Sequence, residues 1–212
     1  MASKEKVSWE GTLVSVQPRI RLWRSFDQRG HSYLGYALVV SGTVEGVACE
    51  FSVGIGKAAQ EKHGFKVGDG VSGKSMPVAD DKKEWVDYYK TSGLKLVSLG
   101  ASPSGNSPPP WVGPPPPLEE YRHRGHRRLD ARTYQSRCRP CLWGSRMSVE
   151  LVIDQWNPSQ KRYRIETFCY GPRSCPFYKA GPTRKVPGRN GMTWEEENWI
   201  DEDATAHRDP DE

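Results

Sequence analysis

Eight prolines between residues 101 and 117 constrain this 212-residue chain more than any other feature. Proline fixes φ and has no backbone donor, so neither a helix interior nor a central strand can cross ASPSGNSPPPWVGPPPP. The run, continued through Leu118, is also without charge. It reads as a semi-rigid polyproline II linker over residues 101–118 and divides the chain into two parts. Trp111, between its two proline blocks, is expected to dock onto one of those parts. The alternative is that it helps a partner grip the prolines.

The charge is segmental. Residues 1–100 carry a net +3, residues 119–191 a net +10 and residues 192–212 a net −8. The strongly basic segment is dominated by arginine, with RHRGHRR at 122–128, and a field of that sign favours polyanions. The acidic end is read as a short helix opening at Thr193 and Glu196, which have capping-box spacing, followed by a frayed, solubilising tail. The alternative is that this tail lies over the basic segment and competes with a ligand. No apolar run approaches the ~18 residues of a membrane span, and MASKEKVSWEG has no apolar stretch behind its lysines. The chain is therefore expected to be cytoplasmic, with no membrane partner.

Residues 1–100 read as a small barrel. Val47, Cys49, Phe51, Val53 and Ile55 alternate with Ala48, Glu50, Ser52 and Gly54, which predicts a half-buried strand with Cys49 packed as a small hydrophobe. YLGYALVV (33–40) is a second strand, joined to it through SGTVEG as a hairpin. Residues 7–24 form a long first strand that can bend at Gly11. KAAQEKHGF (57–65) is helical and ends at Gly64. Residues 66–74 and 94–99 supply the last two strands. VGIGK at 53–57 lacks the glycines and the Lys-Ser/Thr ending of a phosphate loop and reads as a strand end.

This β-β-β-α-β-β order resembles the OB-fold superfamily, a five-stranded Greek-key barrel. Phe65-Lys66-Val67-Gly68-Asp69-Gly70-Val71 is similar to the turn into strand four of many OB-folds, where the hydrophobic residue seals the barrel end. The resemblance covers residues 6–100 and implies an oligonucleotide-binding face on strands two and three, flanked by the loops joining strands 1–2 and 4–5. Arg19, Arg21, Trp23, Arg24, Phe26, Arg29, His31 and Tyr33 gather at the first loop. Lys82, Lys83, Trp85, Tyr88, Tyr89 and Lys90 gather at the second. Aromatic rings stack bases and nearby cations neutralise phosphate. The competing reading makes Trp23 and Trp85 barrel plugs and the tyrosines ordinary packing, while Asp80, Asp81, Glu84 and Asp87 dilute the second loop's positive field.

Residues 119–191 contain two cysteine pairs, Cys138/Cys141 and Cys169/Cys175. Between them, MSVELVIDQW (147–156) and KRYRIETF (161–168) form a hairpin turning at Asn157-Pro158-Ser159, which returns the two pairs to one place. In outline this is similar to a zinc ribbon, although its second pair is CxxxxxC rather than CxxC. A segment so poor in large aliphatics gains folding free energy from a metal staple. Four thiolates leave no open position on the ion, so the site is read as structural zinc. An iron–sulfur cluster, a redox dithiol at Cys138/Cys141, or disulfides are the alternatives. Arg139, Arg162 and Arg164 are candidate phosphate contacts on this module.

The fold class expected is mostly β: an OB-like barrel with one short helix, plus a small metal-stapled hairpin module. No nucleophile–base set or H-E-x-x-H motif is present, so no enzyme is expected. The function expected is single-stranded nucleic-acid binding, RNA slightly favoured over DNA. The alternatives are a protein-interaction subunit of a larger complex and an iron–sulfur redox protein.

Overall fold

The computed structural model describes residues 5–25, 28–101, 109–154, 156–157, 159–196 and 198–211. Phe26, Pro108 and Pro158 lie outside the described residues.

The first half forms β1 (Val7–Arg24), β2 (Arg29–Val44), β3 (Val47–Ile55), α1 (Lys57–His63), β4 (Gly70–Pro77) and β5 (Tyr88–Ser98). These strands close a ring of five in the order β1-β2-β3-β5-β4-β1. All contacts in it are antiparallel except β3–β5, where Val53 pairs with Tyr88 in parallel. The alternating apolar residues explain the closure. Leu13, Ile20, Leu38, Val40, Phe51, Val53, Ile55, Phe65 and Val71 all fall into one buried cluster. Residues alternate across a strand, so a ring hides one apolar face per strand. Phe65 is fully buried, and the Asp69 carboxylate accepts from Lys66 N and Gly100 N, both at 2.9 Å, fixing the turn into β4.

Strands β1 and β2 cross very closely at Gly11 and Gly42. A Cβ on Gly42 would lie 2.0 Å from the Glu10 carbonyl oxygen. Only glycine admits that approach.

Several boundaries differ from the sequence reading. Within residues 66–74 the tight turn occupies Lys66–Asp69 and β4 starts at Gly70, while Tyr88, Tyr89 and Lys90 belong to β5 rather than to the loop before it. Register shifts between Ser72, Lys74 and Met76 break the alternation that would have disclosed this stretch. Cys49 is exposed, because the first four residues of β3 project beyond the ring on a hairpin turned by Glu45 and Gly46, both at positive φ.

The second half forms α2 (Leu118–Arg124), β6 (Arg127–Arg128), α3 (Ala131–Thr133) continuing into a π-turn at Tyr134–Cys138, β7 (Gly144–Val152), β8 (Lys161–Cys169), β9 (Arg184–Pro187), β10 (Thr193–Glu196) and α4 (Asn198–Thr205). The hairpin of β7 and β8 is present, but it does not stand apart. Ile20–Arg24 of β1 pair in parallel with Met147–Leu151 of β7, so one eight-stranded sheet runs through both halves. Strand β1 is 18 residues long: its first half closes the ring against β4, and its last five residues lie beyond it and recruit β7. Leu118, Tyr121, Met147, Val149, Phe168 and Tyr170 join the same core cluster. The proline run thus separates two lengths of sequence whose apolar faces meet. Trp111 docks in cis: its carbonyl accepts from Leu142 N at 2.9 Å, and its ring packs against the cysteine cluster.

The acidic end is likewise built in. Thr193 to Glu196 form β10 against β9, and helix α4 starts only at Asn198. The expected capping box is therefore a strand, and the tail is not frayed. It lies over the basic segment. Asp201 accepts from Arg128 Nε at 2.9 Å, and Glu196 pairs with Arg24. Among the described residues, no helix is long and apolar enough to cross a membrane.

Candidate functional site

The hairpin brings the cysteine pairs to one end of β7 and β8. Gly144, three residues after Cys141, pairs directly with Cys169. Cys138 and Cys141 are bridged by a turn in which Cys141 N donates to the Cys138 carbonyl at 3.1 Å, and Cys175 N donates likewise to Pro172 O at 3.2 Å. Cys138, Cys141 and Cys169 share one buried cluster, Cys175 is half-buried beside them, and all four are free thiols. Burial pushes the Cys138 thiol up to about 12, with charge on Cys169, Cys141 and Cys175 each adding to the rise. Burial likewise lifts Cys141 to about 11, opposed by backbone N–H groups of Trp143, Trp111 and Gly144. The Cys169 sulfur accepts from Gly171 N at 3.3 Å. Backbone donors aimed at sulfur two and three residues on suit thiolate ligands. Among the described residues, however, no set of three or more His, Cys, Asp or Glu side chains is closed into the geometry of a bound ion.

The CxxC loop is fastened to the ring by residues whose role the sequence did not disclose. Gln17, 1% exposed on β1, donates to Arg139 O at 2.9 Å and, at longer range, to the carbonyls of Cys138 and Cys141. Its own carbonyl accepts from Tyr134 OH at 2.7 Å. Ser15 donates to Arg139 O at 2.7 Å.

That docking also ties Arg139 to Glu50 of β3, one of the strands on which the sequence placed a ligand. The loop between β4 and β5 folds over the outer face of β1 to β3 as well. Trp85 and Val86 bury against Ala37 and Val39, and Asp87 Oδ2 accepts from Ser52 N and Oγ, both at 2.7 Å. Arg19 donates through Nε and Nη2 to Glu84, at 3.1 and 2.6 Å, with Arg21 3.6 Å from the same carboxylate. Arg24 is buried against Glu196, and Arg139 pairs with Glu50. Trp85 is thus buried on the outer face of the sheet rather than inside the barrel, capped by Arg146 5.2 Å from its ring. Tyr88 packs on Phe51. Lys83 pairs with Asp80 at 3.1 Å, and Arg164 pairs with the buried Glu166. Lys82 and Arg162 are exposed, Tyr89 is half-buried under Lys90, and Trp23 lies against Gly30 with 36% of its surface exposed. The expected site is not assembled as one surface.

What the fold does assemble is a groove at the β1–β2 end, where α2 and α4 close on β2. A cavity of about 320 Å³ is lined by Arg29, His31, Tyr33, Arg122, Gly125, His126 and Ala204. The Arg122 guanidinium sits 4.7 Å from the centre of the Tyr33 ring. Arg29 also lines an adjoining cavity of about 370 Å³ that includes Trp194 and Trp199. Arg29 and Arg122 are exposed cations, and Trp199 is 57% exposed. The sequence reading had Arg29, His31 and Tyr33 here. It missed Arg122, His126, Trp194 and Trp199, because the approach of α2 and α4 to β2 leaves no local periodicity.

His31 and His126 meet edge to face in that groove, ring centres 5.0 Å apart. Burial holds His31 near 4, reinforced by Arg29 and Arg24 and opposed by Glu196, and burial holds His126 well below its ordinary range. Both imidazoles are neutral in the fold but take up protons below about pH 6.5 when unfolded. Stability is therefore full above that pH and falls as pH drops toward 4. The His31 contribution alone amounts to about 3 kcal/mol. Urea midpoints measured from pH 7 to 4.5 should drop, and less so for His31→Gln; parallel curves for the two proteins would refute this assignment.

No family model, curated protein or solved structure matches this chain.

Proposed function

We propose that this chain is a non-catalytic single-stranded nucleic-acid-binding protein, with RNA slightly favoured over DNA for its unpaired, splayed bases. The ring of five strands, with a helix between β3 and β4, supports the resemblance to an OB-fold barrel. The observation that carries the reading is a pair of adjoining cavities that share the exposed Arg29, itself 3.7 Å from Glu196: Arg122 and Tyr33 line one and Trp199 the other, so cations for phosphate and rings for bases lie side by side. Strands would approach there rather than across β2 and β3, which the chain's own loops cover.

The four thiols are read as a zinc-ribbon-like structural site, with Cys138, Cys141, Cys169 and Cys175 as ligands. The clustering of three of them and the N–H donors at Cys141 and Cys169 fit thiolates. When bound, the ion would supply cross-linking of the two turns.

The test is an anisotropy titration of a labelled single-stranded 12-mer against salt. With about three phosphates neutralised, log K is expected to fall with log[salt] at a slope of about −2. An Arg29→Ala/Arg122→Ala double variant should lose most of that slope. Absence of binding at low salt, or a flat slope, would overturn the proposal. A flat slope is the outcome of the second reading, docking on a protein partner, which Trp156 favours by standing 84% exposed at the β7–β8 turn.

A further inference from the structure

Strand β8 leaves most of one edge bare. Residues 161–169 pair along their whole length with β7, but β6 covers the other side only at Phe168 and Cys169. Leu129 N adds one bond there, donating to Thr167 O at 3.0 Å. Thr167 therefore turns its backbone away from β7, and antiparallel alternation gives Tyr163 and Ile165 the same direction. The opposite parity faces β7: Tyr170 N donates to Trp143 O, and Gln160 O accepts from Ile153 N. Among the described residues, no strand pairs with the outer side of β8 from Lys161 to Glu166. Ile165 is 38% exposed, so solvent reaches that edge.

An open edge is a template for one more strand. The side chains beside it decide whose. Tyr163 and Ile165 stand on one face, Arg162 and Arg164 on the other. Lys161 is spent on Glu150 and Arg164 on Glu166. Arg162 and Lys185 are exposed and form no ion pair among the described residues, and the Lys185 carbonyl accepts from Arg164 Nη1 at 3.1 Å, which places Lys185 beside the edge. The bare stretch thus offers backbone groups, an apolar side and a cationic side. A second copy of the chain fits it badly. Within the bare stretch, antiparallel pairing of two β8 strands sets Arg162 opposite Arg164, or Arg164 opposite itself, and like charges directly opposite are destabilising. A sugar–phosphate backbone lacks the alternating donors and acceptors that continue a ladder.

We propose that β8 is a docking edge for an extended segment of a partner protein, acidic on one face and apolar on the other, added as a further strand beside Tyr163 and Ile165. Its carboxylates meet Arg162 and Lys185, and its apolar side chains lie along Ile165. This interaction goes beyond nucleic-acid binding at the groove and stands without it.

The probe is a fluorescein-labelled, end-capped heptapeptide of alternating glutamate and valine, titrated into the full chain by anisotropy, with a lysine–valine heptapeptide as control. The glutamate peptide should bind at least roughly tenfold more tightly than the lysine peptide, and Arg162→Glu should weaken it by about tenfold. Ile165→Pro removes an outward N–H and leaves the ladder to β7 intact, and should weaken binding by about fivefold or more. Circular dichroism and urea midpoints check that both variants fold, and Arg162→Glu decides if the proline variant does not. Binding of neither peptide, equal binding of both, or binding indifferent to Arg162→Glu would overturn the proposal. Displacement of the peptide by a single-stranded 12-mer would give the edge to nucleic acid instead. A dimer in sedimentation equilibrium that Ile165→Pro dissociates would give it to a second copy. Either result would equally overturn the acidic partner.

Discussion

Arg128→Ala is expected to lower stability by about 3–5 kcal/mol, because it strands buried partners rather than removing a surface charge. Arg128 is fully buried on β6. Its Nε donates to Asp201 at 2.9 Å, its Nη1 to Glu196 O at 2.9 Å and its Nη2 to Asn198 Oδ1 at 2.6 Å. All three acceptors belong to the acidic end of the chain. Removing the guanidinium leaves the Asp201 carboxylate without its cation and two further acceptors without donors. The expected phenotype is a large drop in the urea midpoint, with early proteolysis within residues 184–205. Arg162→Ala, which removes an equal charge from an exposed position, should stay within about 0.5 kcal/mol of the parent. If Arg128→Ala cost under about 1 kcal/mol, the acidic end would not be held as described.

The second large effect concerns the thiols. Protein purified without added metal is expected to carry about one zinc per chain, and Cys141→Ser is expected to lose it. Structural zinc sites in small modules bind with ~10–16 kcal/mol of free energy, so the variant and the chelator-treated parent should both melt far below the loaded protein. Binding must also displace protons, since Cys138 and Cys141 are held at about 12 and 11 by burial. Proton release on adding zinc is therefore a second readout. Iron with visible absorbance would replace zinc by a cluster. A metal-free parent whose stability matches Cys141→Ser would remove the metal from the account.

The ring was legible because its signals are local. Alternation over residues 47–55, the glycines at 11, 42 and 46, and the Phe65–Asp69 turn each dictate one element. The hairpin of β7 and β8 was legible for the same reason, and with it the return of Cys169 to the first cysteine pair. What stayed hidden depends on surfaces meeting. Nothing near Ile20–Arg24 says that the end of β1 will accept β7, and alternation there is the same whether a strand edge is free or paired. The arginines at 124, 127 and 128 look like a solvated run until the acidic end folds over them. Their burial is a matter of complementary charge far along the chain, which composition registers only as a sign change. Trp85 was left between a stacking ring and a barrel plug, because an aromatic residue between lysines and aspartates reads the same either way; the structure buries it against Ala37 and Val39. The small outward residues Ala37 and Val39 were the available hint that something would lie on them.

A nucleic-acid strand is proposed to enter beside Arg29 and Arg122, because the loop between β4 and β5 lies over the outer face of β2 and β3. Amide hydrogen exchange, with and without a saturating single-stranded oligonucleotide, tests it most directly. Protection is predicted at residues 29–33, 118–125 and 193–203, with residues 36–39, 52–54 and 83–87 unchanged. Protection on β2 and β3 with faster exchange at 83–87 would mean that the covering loop is displaced by the ligand, and would contradict the claim.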